Sequence, residues 1–489
     1  MICTSMLLLL ALQDGAAPTE RDYYHVDTFP VPDDVSLEVG GIAFLPDDRP
    51  ILSTRRGQVF LVEGAYAEDP SGVTYKLFHE GLQEPLGLLV HEGWIYFTQR
   101  GELSRMRDAD GDDFAEELQT VCDAWRVGGN YHEYNFGPRL DRDGNFWITT
   151  NRAFGDNPFG DHPWRGFALR ITPEGEMLPT ACGLRSPAGI EISPWGDAFF
   201  TDNQGEWCGA SKLSHIGPGD FHGHPYGIAS CKEPEWTYAD PGAPPDGMLM
   251  PEVPSVIPSF KLPAVWFPYS KMGRSPAGMV WDQSGGAFGP FDGQLFVGDQ
   301  YQSTVMRVDL EQVNGHWQGA CFPWANDLQC GVIRVAWGPD GSLFCGQTNR
   351  GWGSVGRTTQ GLERIRWTGK VPFEIHSMRA AADGFTLRFT LPGDPKSVGD
   401  VASYTMKSYT YRLHSPYGSP EVETETLAIS EAHVAPDRTS VRLVVDGLRA
   451  GYVHELHAEG VRSASGSPLL HDEAYYTLIE RPGKQPERR

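Results

Sequence analysis

From residue 35 to about residue 370 the chain alternates short apolar runs with Gly/Asp turns. GIAFLPDD, LGLLVHEG, FGPRLDRDG, AGIEISPWG, AGMVWDQSG and VIRVAWGPDG each precede a second run that ends on polar residues. The second runs are ILSTRRGQVFLV, IYFTQRGELSRM, FWITTNRAFG, AFFTDNQGEW, QLFVGDQYQSTVMRV and LFCGQTNRGWGS. Paired apolar runs around a Gly/Asp turn predict hairpins. A hairpin unit recurring about every 50 residues predicts a β-propeller, here with six blades over residues 21–370.

Superposing the copies places Arg55, Gln99, Asn151, Asn203, Gln300 and Asn349 in one column. The next column holds Arg56, Arg100, Arg152, Gln204, Tyr301 and Arg350. Inner strands of a propeller converge on a central channel, so a repeated polar position predicts a polar ring at one mouth. Its arginines suit a ligand with carboxylates or many hydroxyls; they equally suit pairing with neighbouring Asp and Glu. The wide interval between Asn203 and Gln300 is read as a Pro-rich insertion, about 226–262, rather than a seventh blade. After Lys370 the polar column stops and alternating strands continue (FTLRFTLP, SYTYRLHS, VRLVVDGL, YVHELHAEGV), which predicts an immunoglobulin-like or fibronectin-like β-sandwich over residues 371–489. The fold class is therefore all-β.

Composition adds exclusions. A formal net charge of −24 argues against nucleic acid or an anionic membrane surface as partner, and leaves a small-molecule ligand, a sugar or glycan among them, open. Residues 1–20 (MICTSMLLLLALQDGAAPTE) have a short apolar core without a basic flank. They are read as an export signal or a disordered N-terminus, with periplasmic or secreted localisation. No later run is long enough for a transmembrane span. Beyond that segment seven cysteines remain, an odd number, at spacings unlike a zinc site. No Cys-x-x-Cys-His occurs.

Three stretches carry candidate chemistry. In GGNYHEYNFG, His132 stands beside Glu133 and Tyr134: a base with an orienting shell, or a histidine that only bridges a loop. DADGDDFAEE offers Asp108, Asp110, Asp112 and Glu116 as hard oxygens for Ca²⁺, or is a solvated acidic turn. His215, and His222 with His224 in GDFHGHP, are either a metal pair or ordinary packed histidines.

The stretch CGLRSPAGIEISPWGDAFFTDNQGEW with SKLSHIGPGDFHGHPYG resembles a blade of the soluble PQQ-dependent glucose/aldose dehydrogenases and their sorbosone-dehydrogenase relatives. HEYNFGPRLDRDGNFWIT and GLQEPLGLLV resemble two further motifs of that family. FGPFDGQLFVGDQ, CGVIRVAWGPDGSLFCGQTNRGWGSVG and WTGKVPFEI are similar to a subgroup known as membrane-bound dehydrogenases. The resemblance implies a six-bladed propeller that oxidises sugars with PQQ and Ca²⁺. It implies His132 as general base, Arg185 facing substrate and cofactor, Gln204 on the cofactor, Ser186 where the family has asparagine, and Gln83 near the site. Asp299-Gln300-Tyr301 stands where the family has its cofactor lysine, and Arg334 lies one position from its cofactor arginines. Arg56, Arg100 and Arg350 are the cations left to compensate. Glu133 and Tyr134 beside His132, and Asn151, Asn203, Gln300 and Asn349 from the column, are expected to face substrate. A redox partner is left open. Two further functions remain compatible with the same residues: a cofactor-independent uronate lyase or lactonase, and a non-catalytic glycan-binding scaffold.

Overall fold

The structure, a computed structural model, describes residues 18–154 and 162–483. The expected export segment lies, through residue 17, outside the described residues. Four-stranded antiparallel sheets succeed one another along the chain, as in β-propellers. Each begins with a hairpin from the sequence repeat: Val39–Phe44 with Pro50–Thr54, Leu89–His91 with Trp94–Thr98, Asn135–Leu140 with Phe146–Thr150, and Pro187–Ile192 with Ala198–Asp202. Pro276–Trp281 with Leu295–Asp299 opens the fifth sheet, and Val332–Trp337 with Leu343–Thr348 the sixth. The sixth is completed not by the next strand in sequence but by Tyr24–Thr28, which pairs with Gln360–Trp367.

Strands of successive sheets touch one another around a common axis, and the sixth sheet returns to the first. The glycine in the repeated apolar run explains the closeness. A Cβ on Gly189 would stand 2.0 Å from the Ala277 carbonyl oxygen, and one on Gly41 2.7 Å from the backbone of Gly87. On this axis lies Arg334. Its Nε donates to the Gly40 carbonyl (2.8 Å), Nη1 to Ala188 (2.9 Å) and Ile333 (2.6 Å), and Nη2 to Leu86 (3.1 Å). The guanidinium sits over the Phe136 ring at 4.9 Å, and burial pushes its pKa down to about 9. It is an axial pin rather than the neighbour of a cofactor arginine.

Residues 226–262 form no further sheet of the repeated kind among the described residues. They carry 3-10 turns at Ile228–Lys232 and Met250–Ser255, and Met248–Leu249 pairs with Arg412–Leu413. The C-terminal strands form two sheets over one apolar core that includes Met378, Leu387, Met406, Leu443 and Tyr476. One of those sheets continues the fifth sheet of the repeat, with Cys321 opposite Tyr475. The C-terminal part is thus hydrogen-bonded into the repeat and does not merely rest on it. Among the described residues seven cysteines are buried and free, and no helix is long and apolar enough to cross a membrane.

His454 packs in this C-terminal region against Phe385, ring centroids 5.3 Å apart, and burial lowers its pKa to about 3. In the unfolded chain it would titrate near 6.5. Its folded pKa is depressed, so the stability it contributes is present above about pH 6.5 and is lost as pH falls toward 3. Unfolding free energy should drop by about 1.4 kcal/mol per pH unit in that window from this group alone. Urea unfolding at pH 7 and pH 5 of wild type and His454→Asn measures it. A slope unchanged by the substitution would contradict the assignment.

Candidate functional site

The ends of the second strands and the loops after them meet at one mouth of the sheet ring, beside a cleft of about 260 Å³. Its walls include His132, Arg185, Ser186, Asn203 and Gln204, all expected from the sequence. Phe154, Tyr269, Arg274, Ser275, Tyr301, Trp352 and Tyr417 complete it. The cleft is therefore more aromatic than the polar column alone implied.

His132 is half-buried, its ring 4.8 Å from that of Phe154, 5.3 Å from Tyr131 and 5.9 Å from Tyr134. Burial, and then the Arg55, Arg100, Arg185 and Arg152 guanidiniums, hold the imidazole below its ordinary value. It is neutral at neutral pH and able to accept a proton. Glu133 does not orient it. The Glu133 Oε2 accepts the N–H groups of Gly128 (2.7 Å), Gly129 (3.0 Å) and Asn130 (3.3 Å), so this buried carboxylate shapes the loop that carries the histidine. Tyr134 is also fully buried, with Arg55 over its ring at 4.7 Å and Arg100 at 5.3 Å. It supports the arginines from below and does not line the cleft.

Most of the predicted cations are committed to carboxylates. Arg185 donates through Nε (3.1 Å) and Nη2 (2.8 Å) to Glu206, which Arg152 also grips at 2.7 Å. Against the burial that raises it, Arg185 and Arg152 hold the Glu206 carboxyl below its ordinary range. Glu84 is shared by Arg55 (2.7 Å), Arg100 and Arg350 (3.9 Å). Glu38 takes Arg56 at 2.9 Å and Arg350 at 3.5 Å. Arg274 differs: its guanidinium lies 3.6 Å from the Tyr301 ring centre and 5.1 Å from that of Tyr269, with no ion pair among the described residues. The other six guanidiniums share three carboxylates, Glu38, Glu84 and Glu206.

The amides divide. Asn203 lines the cleft, 6% exposed, with Oδ1 lacking any donor. Gln204 donates to the Gly209 carbonyl at 3.1 Å. Asn151 donates to Ser186 Oγ at 3.2 Å, and Gln300 to the Arg350 carbonyl at 2.9 Å; both are fully buried behind the wall. Asn349 is engaged through its backbone with Thr359 and Gly353. Gln83 is exposed and its N–H donates to Gln99 Oε1, outside the wall. Arg56, half of its side chain in solvent, also lies outside it. Asn151, Gln300 and Asn349 show one physical reason for the division: a residue at a strand end can satisfy a neighbouring polar group as readily as face the channel.

In the acidic loop Asp108, Asp110 and Glu116 converge, their oxygens within 4.8 Å of one another, while Asp112 stays out of the group and caps the Phe114 N–H at 2.9 Å. Asp113 adopts φ 68° and pairs with Arg49 and Lys76 at 2.8 Å each. The three histidines do not gather into a metal-sized group among the described residues. His215 Nε2 meets Asp197 at 3.0 Å, His222 packs on Phe200, and His224 Nδ1 accepts the Tyr226 N–H.

Of two cleft residues outside the polar column, one had a usable signal in the sequence and the other had none. Arg274-Ser275-Pro276-Ala277-Gly278 repeats Arg185-Ser186-Pro187-Ala188-Gly189, and both copies use the same support. Asp202 accepts the N–H groups of Arg185 and Ser186, and Asp299 those of Arg274 and Ser275. Tyr417 comes from the C-terminal region, whose loop docks by Gly418 N–H to the Gly205 carbonyl (3.0 Å) and Trp207 N–H to the His414 carbonyl (2.8 Å). Its ring lies 5.3 Å from the Arg185 guanidinium and it is 64% exposed at the lip.

A family model described as a domain of unknown function, DUF7133, matches residues 66–216. No curated protein matches. Among solved structures the chain is similar to an oxidoreductase described as a glucose dehydrogenase from Thermus thermophilus, at 20% identity over 70% of this chain and 99% of that one, TM-score 0.49. It is similar to the PQQ-bound aldose sugar dehydrogenase of Streptomyces coelicolor at 16% identity, covering 72% and 100%, TM-score 0.47. A Trichoderma reesei carbohydrate-active enzyme of family AA12 stands at 13% identity, covering 75% and 100%, TM-score 0.49.

Proposed function

We propose that the protein is a six-bladed propeller with a C-terminal β-sandwich whose mouth oxidises a sugar hydroxyl, His132 acting as the base. The observation that carries this is a half-buried imidazole opening into an aromatic-walled cleft beside a cluster of arginines. Aromatic faces suit the C–H faces of a pyranose. The unpartnered Asn203 oxygen and the Ser186 hydroxyl suit its hydroxyl groups. His132 receives the hydroxyl proton as the carbon becomes a carbonyl. Its neutrality at pH 7 is what the surrounding guanidiniums and burial secure.

PQQ, the acceptor implied by the sequence resemblance, is a planar tricarboxylate, and the residues present fit it. The arginines around Glu38, Glu84 and Glu206 carry a surplus of three charges, equal to its three carboxylates. The buried Arg152 Nε and Trp352 Nε1 lack acceptors. Arg185, Arg152, Arg100 and Arg350 would hold the carboxylates, with Gln204 beside them and Trp352 against the ring. Bound there, PQQ would supply a two-electron acceptor for the hydrogen leaving the sugar carbon. Asp108, Asp110 and Glu116 would supply oxygens for a Ca²⁺ away from the cleft.

Calorimetric titration with PQQ tests the cofactor. Saturable binding at micromolar or tighter affinity is expected, weakened about tenfold or more in Arg185→Met, the loss of one charge-assisted pair. No heat and no saturation in the wild type would overturn it.

A further inference from the structure

We infer that the sugar taken by this cleft carries a negative charge, an acid sugar such as a uronate or aldonate, and that Arg274 selects it. The inference rests on the cleft being the carbohydrate site. Arg185 and Arg274 are the same residue of the same pentapeptide in adjacent sheets, each held by backbone N–H bonds to a buried aspartate, Asp202 or Asp299. They differ four residues beyond that aspartate. After Asp202 the position is Glu206, which neutralises Arg185; after Asp299 it is Ser303, which has no charge to offer. Asp299 itself is spent on the N–H groups of Arg274, Ser275 and Gln302, at 2.7 Å each.

Arg274 is therefore left on the cleft wall, stacked on Tyr301 and flanked by Tyr269, without an anion among the described residues. Stacking on the tyrosine faces fixes the plane of the guanidinium, so its donors are presented to one side, as bidentate recognition of a carboxylate requires. Across the same cleft the Asn203 oxygen, 6% exposed and without a donor, asks for a hydroxyl. One carboxylate and several hydroxyls on one small ring meet both demands. A neutral sugar would leave Arg274 uncompensated; a singly charged one would not.

The test measures binding of glucuronate and of glucose to the full chain by saturation-transfer NMR and calorimetry, in wild type, Arg274→Met and Arg274→Lys. Wild type should prefer glucuronate by about tenfold or more. In R274M the ratio should fall to about one, and R274K should keep a reduced preference, because the charge remains without the planar fork. Unfolding midpoint and PQQ affinity report on folding in each variant. Equal binding of the two sugars by wild type, or a preference that survives in R274M, would overturn the inference while leaving the carbohydrate site intact. If wild type binds neither sugar, the carbohydrate site itself fails, and this inference with it.

Discussion

Arg334→Met is expected to lower the stability of the whole protein by about 3 kcal/mol, because several buried carbonyls lose their donor at once. The side chain reaches carbonyls of the first, second and fourth sheets and of its own, the sixth. Methionine fills much of the volume but donates nothing, and leaves Gly40, Leu86 and Ala188 oxygens facing an apolar axis, where an unsatisfied polar group costs about 1–3 kcal/mol. A fixed planar fork is what lets a single residue satisfy four carbonyls. Arg334→Lys should recover only part of the loss, since an ammonium has three donors from one atom. Urea midpoints of the two variants measure the effect. A midpoint for R334M equal to wild type would show that the sheets hold their ring without the pin.

His132→Ala is expected to reduce sugar oxidation by about 10²- to 10⁴-fold, the range for loss of a positioned general base, with PQQ affinity nearly unchanged. The sign of the pH dependence is set by the depressed imidazole. The base is active when unprotonated, so the rate should hold its plateau to below the ordinary histidine value of about 6.5 and fall only as pH drops further. Replacing Arg100 with Met removes one of the cations that depress it and should move that acid limb upward. Glu133→Gln offers a control of a different kind: its carboxylate orders residues 128–130, so it should reduce the rate through the loop without shifting the limb. A limb at the same pH in wild type and R100M would contradict the electrostatic account of His132.

The hairpins and the C-terminal change of pattern are legible in the sequence because each repeat spells its own turn. Among cleft residues, Asn203 and Gln204 are legible from the repeated column, and His132, Arg185 and Ser186 from the motifs that carry the family resemblance. Arg274 was equally reachable from the repeated RSPAG. It falls before the first strand of its unit, however, and an alignment anchored on the end of the second strand passes over it. Tyr417 was not reachable: nothing local in SPYGSP says that a loop some 200 residues away forms the other lip. The same holds for Tyr24–Thr28, whose pairing with Gln360–Trp367 depends on ring closure, and for Arg334, whose role exists only once several sheets surround it. Glu133 and Gln83 answer to their own loops, because sequence adjacency to a candidate side chain says nothing about which backbone groups need satisfying nearby.

Oxidation of a sugar hydroxyl in this cleft is read in an anaerobic single turnover. Protein loaded with PQQ is mixed with glucuronate, glucose and a panel of other aldoses and aldonates while the absorbance of the oxidised quinone is followed. The account predicts loss of that absorbance with at least one sugar in wild type, and its persistence in His132→Ala under the same conditions. Bound PQQ whose spectrum stays unchanged with every sugar would contradict it.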